Sequence, residues 1–263
     1  MQKKVRIRQN NPDCLKLIQI TDTHLFSKAE DRFDGFDTMA SLRSVIAHIN
    51  ALAEPPDLVL VTGDLAHDPV ASAYQQLLGQ LTSLKVPVFC LPGNHDDPAL
   101  MEEMLNHENV STVKVLETLH WTVLLLNSFL PHSHSGRLAE EELDFLSRQL
   151  QHARDKHLFI CLHHPPIPVN SPWMDAMMLE NPDDFFAIVD RCRHTRGILW
   201  GHIHQEFSSV HGNVLLLASP STCVQFTPLT DKYIRDNKAP GYRTLGLQTN
   251  GSIKTVVHRV AVT

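Results

Sequence analysis

Carboxylate, imidazole and carboxamide side chains recur at five places in this sequence, each just after a short apolar run. Asp22-Thr23-His24 follows Leu15–Thr21, and Gly63-Asp64 follows Leu58–Thr62. Pro92-Gly93-Asn94-His95-Asp96 follows Val86–Leu91, and His163-His164-Pro165 follows Leu158–Leu162. Gly201-His202-Ile203-His204 follows Gly197–Trp200. Oxygen and nitrogen donors without thiolate suit iron, manganese, zinc or cobalt better than a soft metal. In extended backbone, residues i and i+2 face the same way, roughly 6–7 Å apart. Asp22 and His24 would then grip one ion from one side. His202 and His204 would serve different ions if these lie about 3.5–4 Å apart, as in two-metal sites. Glycine before Asp64, Asn94 and His202 permits tight turns and close approach of the ions. Alone, D-x-H reads as a capping Asp beside a surface His, G-D as a turn, and H-H-P as a loop of solvated imidazoles. G-N-H-D and G-H-x-H are more specific, and five motifs in order at strand ends exceed coincidence.

The elements that must position these residues alternate. Helical patterns cover Phe36–Leu52, with Met39, Leu42, Val45, Ile46 and Ile49 on one stripe, and Ala71–Leu84, Glu140–His152 and Pro182–Arg193. Further strands are expected at Val113–Glu117 and Trp121–Asn127. A β-rich tail follows at Glu206–Val210, Val214–Ala218, Arg243–Leu247 and Ile253–Arg259. This order predicts α/β layers around a mixed sheet system, in one domain over residues 1–263. Ligands in open α/β sheets bind beyond the carboxyl ends of strands, so the five polar ends should share one rim. Leu130–Leu138, His164–Asn181 and Ser219–Tyr242 read as long loops, functional or mobile.

Composition narrows the function. The 263 residues carry 23 basic and 29 acidic side chains, a net charge of −6, with 43% hydrophobic residues. That excludes disorder and coiled coil as the main architecture, and argues against a nucleic-acid or membrane-surface binder. The 17 histidines are the unusual number. Cys14, Cys90, Cys161, Cys192 and Cys223 are scattered and never spaced C-x-x-C, which reads as buried free thiols in a reducing cytoplasm. The basic N-terminus lacks the apolar run of a signal peptide, and the aliphatic stretches are strand-length rather than membrane-length.

Taken in order, these motifs resemble the calcineurin-like metallophosphoesterase superfamily. ITDTHLF (Ile20–Phe26), TGDLAHD (Thr62–Asp68), LPGNHD (Leu91–Asp96), GHIHQE (Gly201–Glu206), PSTCVQF (Pro220–Phe226) and APGYRTL (Ala239–Leu245) are similar to the bacterial class III 3′,5′-cyclic-AMP phosphodiesterases. The resemblance implies a four-layer α/β/β/α sandwich with a dinuclear site at the C-terminal ends of the strands. It implies Asp22, His24, Asp64 and His204 on the first metal, and Asp64, Asn94, His163 and His202 on the second, with Asp64 bridging. Position after the strand favours His163 over His164 as the ligand. His95 would be the catalytic residue, contacting the scissile phosphate, and the substrate-binding set would be His24, Asp64, Asn94, His95, His163 and His204. The cofactors would be two divalent or trivalent ions, iron or manganese first, with zinc or cobalt also compatible. The substrate would be a small cyclic nucleotide, with no nucleic-acid or membrane partner; a homodimer is compatible with this.

Two dications, two carboxylates and one hydroxide leave about +1, which suits a phosphodiester monoanion. The expected reaction is in-line attack by metal-bound hydroxide, opening the cyclic phosphate to 5′-AMP. His95 would protonate the departing 3′ oxygen. Asp96 would either orient His95 or cap the helix starting at Pro98. Trp173, Phe226 and Tyr233 are candidates for an adenine face, though packing roles suit each, and Arg243 reads as a phosphate or ribose contact or a surface ion pair. His48, His67, His107, His120, His132, His134, His152 and His211 read as solvated or structural. A broader phosphodiesterase or phosphatase, or a scaffold using the same fold, is the alternative.

Overall fold

Most of the apolar runs become strands buried on both faces, and the reason is layering. In the computed structural model, residues 3–28, 30–153 and 155–263 are described. Strands β1 (Lys4–Arg6) and β2 (Cys14–Ile20) lead to helix α1 (Thr38–Asn50), β3 (Leu58–Thr62), α2 (Ala71–Leu81) and β4 (Val88–Leu91). Then come α3 (Pro98–Leu105), β5 (Val110–Ser111), β6 (Val115–Glu117), β7 (Trp121–Leu125), α4 (Glu140–His152) and β8 (His157–Cys161). The remainder is α5 (Pro172–Asp175), α6 (Pro182–Val189), β9 (Thr195–Trp200), β10 (Phe207–His211), β11 (Val214–Ala218), β12 (Gln225–Phe226), β13 (Arg235–Asp236), β14 (Gly241–Gln248) and β15 (Ile253–Arg259).

The strands form two large sheets, ordered β1-β6-β7-β8-β9-β11-β10 and β15-β14-β2-β3-β4-β5. Within them β7, β8, β9 and β11 run parallel, as do β2, β3, β4 and β5. Parallel order puts the carboxyl ends of each set on one edge, which is why the polar motifs gather.

Alternation along each strand divides the core. Leu15 and Leu17 of β2 and Leu58 and Leu60 of β3 face the other sheet, against Val123, Leu125, Phe159 and Leu199. Their neighbours Ile18, Ile20, Val59 and Val61 face outward under α1, α2 and α3. On the far side, Phe145, Leu146 and Leu150 of α4 and Phe185 and Val189 of α6 cover the first sheet. The result is the expected α/β/β/α order. Asp37 caps α1 by accepting from Ala40 N at 2.9 Å. The helix expected over Pro182–Arg193 ends at Val189, and the short strands β1 and β5 were not expected. Cys14, Cys90, Cys161 and Cys223 are buried free thiols, while Cys192 is only partly covered. Among the described residues no helix is long and apolar enough to cross a membrane.

Candidate active site

The turns that follow β2, β3, β8 and β9 converge with the turn after β4. The expected extended geometry of the two i, i+2 pairs is wrong: Asp22 (φ 55°), His24 (φ 43°), His202 (φ 67°) and His204 (φ 49°) all adopt left-handed backbone. Asp64 does too, at φ 50°. Non-glycine residues pay steric strain there, and such strain persists where the surroundings over-determine it, typically at functional sites. The turn geometry aims each side chain inward instead of letting it alternate.

Two groups of donors result. Ligand atoms of Asp22, His24 and Asp64 lie within 4.8 Å of one another. His204 Nε2 joins them, 3.3 Å from His24 Nε2 and 3.4 Å from Asp22 Oδ1. On the other side, His163 Nε2 sits 3.3 Å from Asp64 Oδ2, and the His163 and His202 rings meet edge-on at 5.1 Å. Asp64 lies between the groups, since the same Oδ2 is 3.5 Å from His24 Nε2.

The donor atoms point into the site. His163 Nδ1–H donates to Thr62 O at 2.8 Å and His204 Nδ1–H to Val224 O at 2.7 Å, which points each Nε2 into the site. Among the described residues, Asn94 Oδ1, His163 Nε2 and His202 Nε2 are buried without a hydrogen-bond partner. Buried polar atoms are rarely left so, and His163 and His202, whose ligand atoms lie within 4.8 Å of each other, fit a cation held with Asp64. His164 Nε2 is unpartnered as well; its Nδ1 meets Ser128 Oγ at 2.8 Å, and its ring stands 4.9 Å from each of His163 and His202, with ligand atoms of the three within 4.8 Å.

Charge supports this. Burial, with crowding by neighbouring imidazoles, holds His24 well below the ordinary histidine range, and burial pushes His202 down to about 3. Both therefore offer lone pairs. Burial opposes the charge of His163 and His204 too, but Asp64 lifts His163 to about 9 and Asp22 lifts His204 well above the usual range. A cation must displace those protons, so binding strengthens as pH rises. Chelated protein is expected to release protons on Mn²⁺ uptake. Its affinity should climb up to about tenfold per pH unit for each displaced proton between pH 6 and 8. Calorimetry in buffers of different ionisation enthalpy measures this; pH-independent uptake would contradict it.

Glycine is required at the turns. Gly63 has φ +91°, and a Cβ at Gly93 would overlap the Asp64 backbone and lie 2.8 Å from His163 Nε2. Gly93→Ala should lower stability by about 1–3 kcal/mol, the usual overpacking range. It should also weaken metal uptake, because rigid backbone cannot yield as a side-chain end can. A melting curve and metal content unchanged from wild type would refute this.

Several sequence readings are corrected. Asp96 neither orients His95 nor caps α3. Its carboxylate accepts from Gly93 N at 2.9 Å, from Leu65 N and Ala66 N, and from Tyr74 Oη, tying the Asp64 and Asn94 turns together. The cap of α3 is Asp97, which accepts from Ala99 N at 2.9 Å. Arg243 is buried rather than on the surface, and it bonds Ala218 O, Ser219 Oγ and Thr255 Oγ1. Trp173, Phe226 and Tyr233 pack edge-on against one another, and Phe226 also stacks on His204 at 4.0 Å.

Other residues join the site unannounced. His67 was read as solvated or structural. It stacks on His95 at 4.9 Å, accepts His95 Nδ1–H on its carbonyl at 3.1 Å, and places Nδ1 3.3 Å from His24 Nδ1. His132 and His134 line a pocket of about 430 Å³ with His67, Asn94, His95 and Phe129. Phe33 lies 4.9 Å from the His24 ring, at the mouth of a tight Asp34-Gly35 turn bridged by Phe33 and Phe36. That D-G dipeptide between aromatic residues was the available signal.

Residues 15–206 match the calcineurin-like phosphoesterase family. The chain is 38% identical over 250 residues to the 3′,5′-cyclic adenosine monophosphate phosphodiesterase CpdA of Vibrio vulnificus, covering 95% of this chain and 91% of that one. It is 37% identical to a 3′,5′-cyclic-nucleotide phosphodiesterase of Nostoc, covering 94% and 92%. A dimetal phosphatase from Danio rerio shares the fold, with a TM-score of 0.63 at 12% identity over 95% of this chain and 100% of that one. The chain belongs to the calcineurin-like phosphoesterase family.

Proposed function

We propose that this chain hydrolyses the 3′-phosphoester bond of 3′,5′-cyclic AMP to 5′-AMP in a metal-dependent reaction, lowering cyclic AMP signalling. The observation that carries this reading is 38% identity over nearly the whole chain to a relative named for that activity. The unpartnered donors of Asn94, His163 and His202 around Asp64 add to it.

In this reading Asp22, His24, Asp64 and His204 hold one ion, and Asp64, Asn94, His163 and His202 hold the other. Iron and manganese suit the mixed oxygen and nitrogen donors, and zinc or cobalt would also be accepted. When bound, two such ions neutralise the phosphate, activate water near neutral pH and stabilise the leaving oxygen. His24, Asp64, Asn94, His163 and His204 surround the place of the phosphate. His95, whose Nδ1–H is committed to the His67 carbonyl, has Nε2 left to orient the phosphate and protonate the departing 3′ oxygen. The neighbouring pocket of about 430 Å³ has room for part of a nucleoside. The free cysteines support a reducing cytoplasm as its compartment.

A broader phosphodiesterase or phosphatase is favoured by one observation: Trp173, Phe226 and Tyr233, the aromatic candidates for a base contact, pack edge-on against one another. The test is hydrolysis after loading with Mn²⁺ or Fe²⁺, using 3′,5′-cyclic AMP, 2′,3′-cyclic AMP and an aryl phosphodiester. Conversion of 3′,5′-cyclic AMP to 5′-AMP with the highest catalytic efficiency is expected. Higher efficiency on either other substrate would establish the broader enzyme.

A further inference from the structure

The donors come from two sheets, and each group draws on both. Asp22, His24, Asp64 and Asn94 follow strands of the sheet containing β2, β3 and β4, while His163, His202 and His204 follow strands of the sheet containing β8 and β9. The distance between the sheets at this edge therefore sets the distance between the ligands. Apolar packing between the sheets is non-directional and fixes such a distance only loosely. At this edge the interlayer stops being apolar.

Gln19 continues the inward face of Leu15 and Leu17 and is completely buried. Its Nε2 donates to Trp200 O of the opposite sheet at 2.9 Å and to Thr62 Oγ1 of its own sheet at 2.7 Å. Its Oε1 accepts from Ser219 Oγ, just beyond β11 of the opposite sheet. Trp200 O can only accept, so the amide orientation is determined. Arg243 is the cross-strand neighbour of Gln19 on β14. It reaches across the same gap, with Nη2–H to Ala218 O at 2.8 Å and Nε–H to Ser219 Oγ at 3.1 Å. Both polar groups of the Gln19 amide are thus used, and the guanidinium is held by three neighbours, as buried polar groups must be. The bonded residues also sit beside the ligands in the chain. Gln19 precedes Asp22 by three residues, Thr62 precedes Asp64 by two, and Trp200 precedes His202 by two.

We infer that Gln19, held by Ser219 and Arg243, is a positioning residue that fixes the spacing between the two sheets and so between the ligands that each ion would take from them. This rests on the dinuclear reading above. Gln19 touches no ligand side chain; it acts by holding the backbone from which the ligand turns leave.

Mn²⁺ alone is a sufficient probe, with the full chain. Two Mn²⁺ sharing a carboxylate are magnetically coupled, whereas separated ions give independent six-line spectra. Gln19→Met keeps length and burial but loses all three bonds. It should weaken uptake of at least one Mn²⁺ by about 10- to 100-fold, the usual effect of removing support behind metal ligands, and convert coupled signal to six-line signal. Ser219→Ala should shift both readouts the same way by a smaller amount, and it decides the matter if Gln19→Met does not fold. Leu146→Ala, a cavity under α4 on the outer face of the first sheet, supplies the comparison: it should lower the melting temperature while leaving both Mn²⁺ readouts unchanged. Gln19→Met and Ser219→Ala with wild-type affinities and coupling would overturn the inference. So would equal changes in Leu146→Ala, because the effect would then be general destabilisation. Failure of the wild-type chain to bind a coupled Mn²⁺ pair would overturn the dinuclear reading itself, and with it the clasp, before any variant is made.

Discussion

Asp64→Asn is expected to reduce turnover of cyclic AMP by about 10³-fold or more while leaving the fold intact. The carboxylate stands 3.5 Å from His24 Nε2 and 3.3 Å from His163 Nε2, so one oxygen faces both donor groups. It is fully ionised: burial would raise its pKa, but charged His163 holds it well below the ordinary range. Asparagine preserves volume, tolerates the left-handed backbone at φ 50°, and keeps an oxygen for His95 N, which donates to Oδ1 at 2.9 Å. What it removes is the charge shared by both halves. Metal-ion catalysis supplies several kcal/mol of transition-state stabilisation, and each 1.36 kcal/mol is about tenfold in rate. Metal content by mass spectrometry should fall below two ions per chain, with circular dichroism unchanged. A variant that keeps two ions and turns over within tenfold of wild type would remove Asp64 from its bridging role.

His95→Gln is expected to lower kcat on cyclic AMP by about 10²–10⁴-fold, the range for losing a positioned acid or base, with two ions retained. The ring is anchored by its Nδ1–H bond to the His67 carbonyl and by stacking on the His67 ring. The substrate separates two roles. Departure of a ribose 3′ oxygen needs a proton, whereas departure of a nitrophenolate does not. A nitrophenyl phosphodiester should therefore suffer much less from His95→Gln than cyclic AMP does. Equal losses on both substrates would leave His95 as a phosphate-orienting group and no acid.

The positions of the strands and the five polar ends were legible because buried parallel strands are short, uninterrupted aliphatic runs. Val214–Ala218 and Ile253–Arg259 have the expected bounds to the residue. The backbone at the ligands was not legible. Asp22 and His24 look like alternate positions of an extended segment, and only the convergence of several turns forces them to positive φ. Gln19 and Arg243 were hidden for another reason. A polar residue within a strand reads as facing water, and the sequence does not reveal that both faces of that strand are covered. His67 and Phe33 became site residues through contacts between separate loops, which no local spacing encodes. Asp96 and Asp97 are adjacent and chemically alike, so their exchange of roles was visible only once the turns were in place.

The pairing of β2 with β14 has a consequence for how the protein is made. β2 occupies Cys14–Ile20, yet one of its neighbours, β14, is Gly241–Gln248. During synthesis Asp22 and Asp64 leave the ribosome early, on strands whose sheet is still missing a neighbour. His202 and His204 come some 140 residues after Asp64, counting from 64 to 204. Such long-range closure folds slowly, because loop entropy is lost before the contacts that offset it are gained. In the dinuclear reading, the donor set of either ion is incomplete until His202 and His204 have been made. Metal acquisition then belongs to the nearly finished chain.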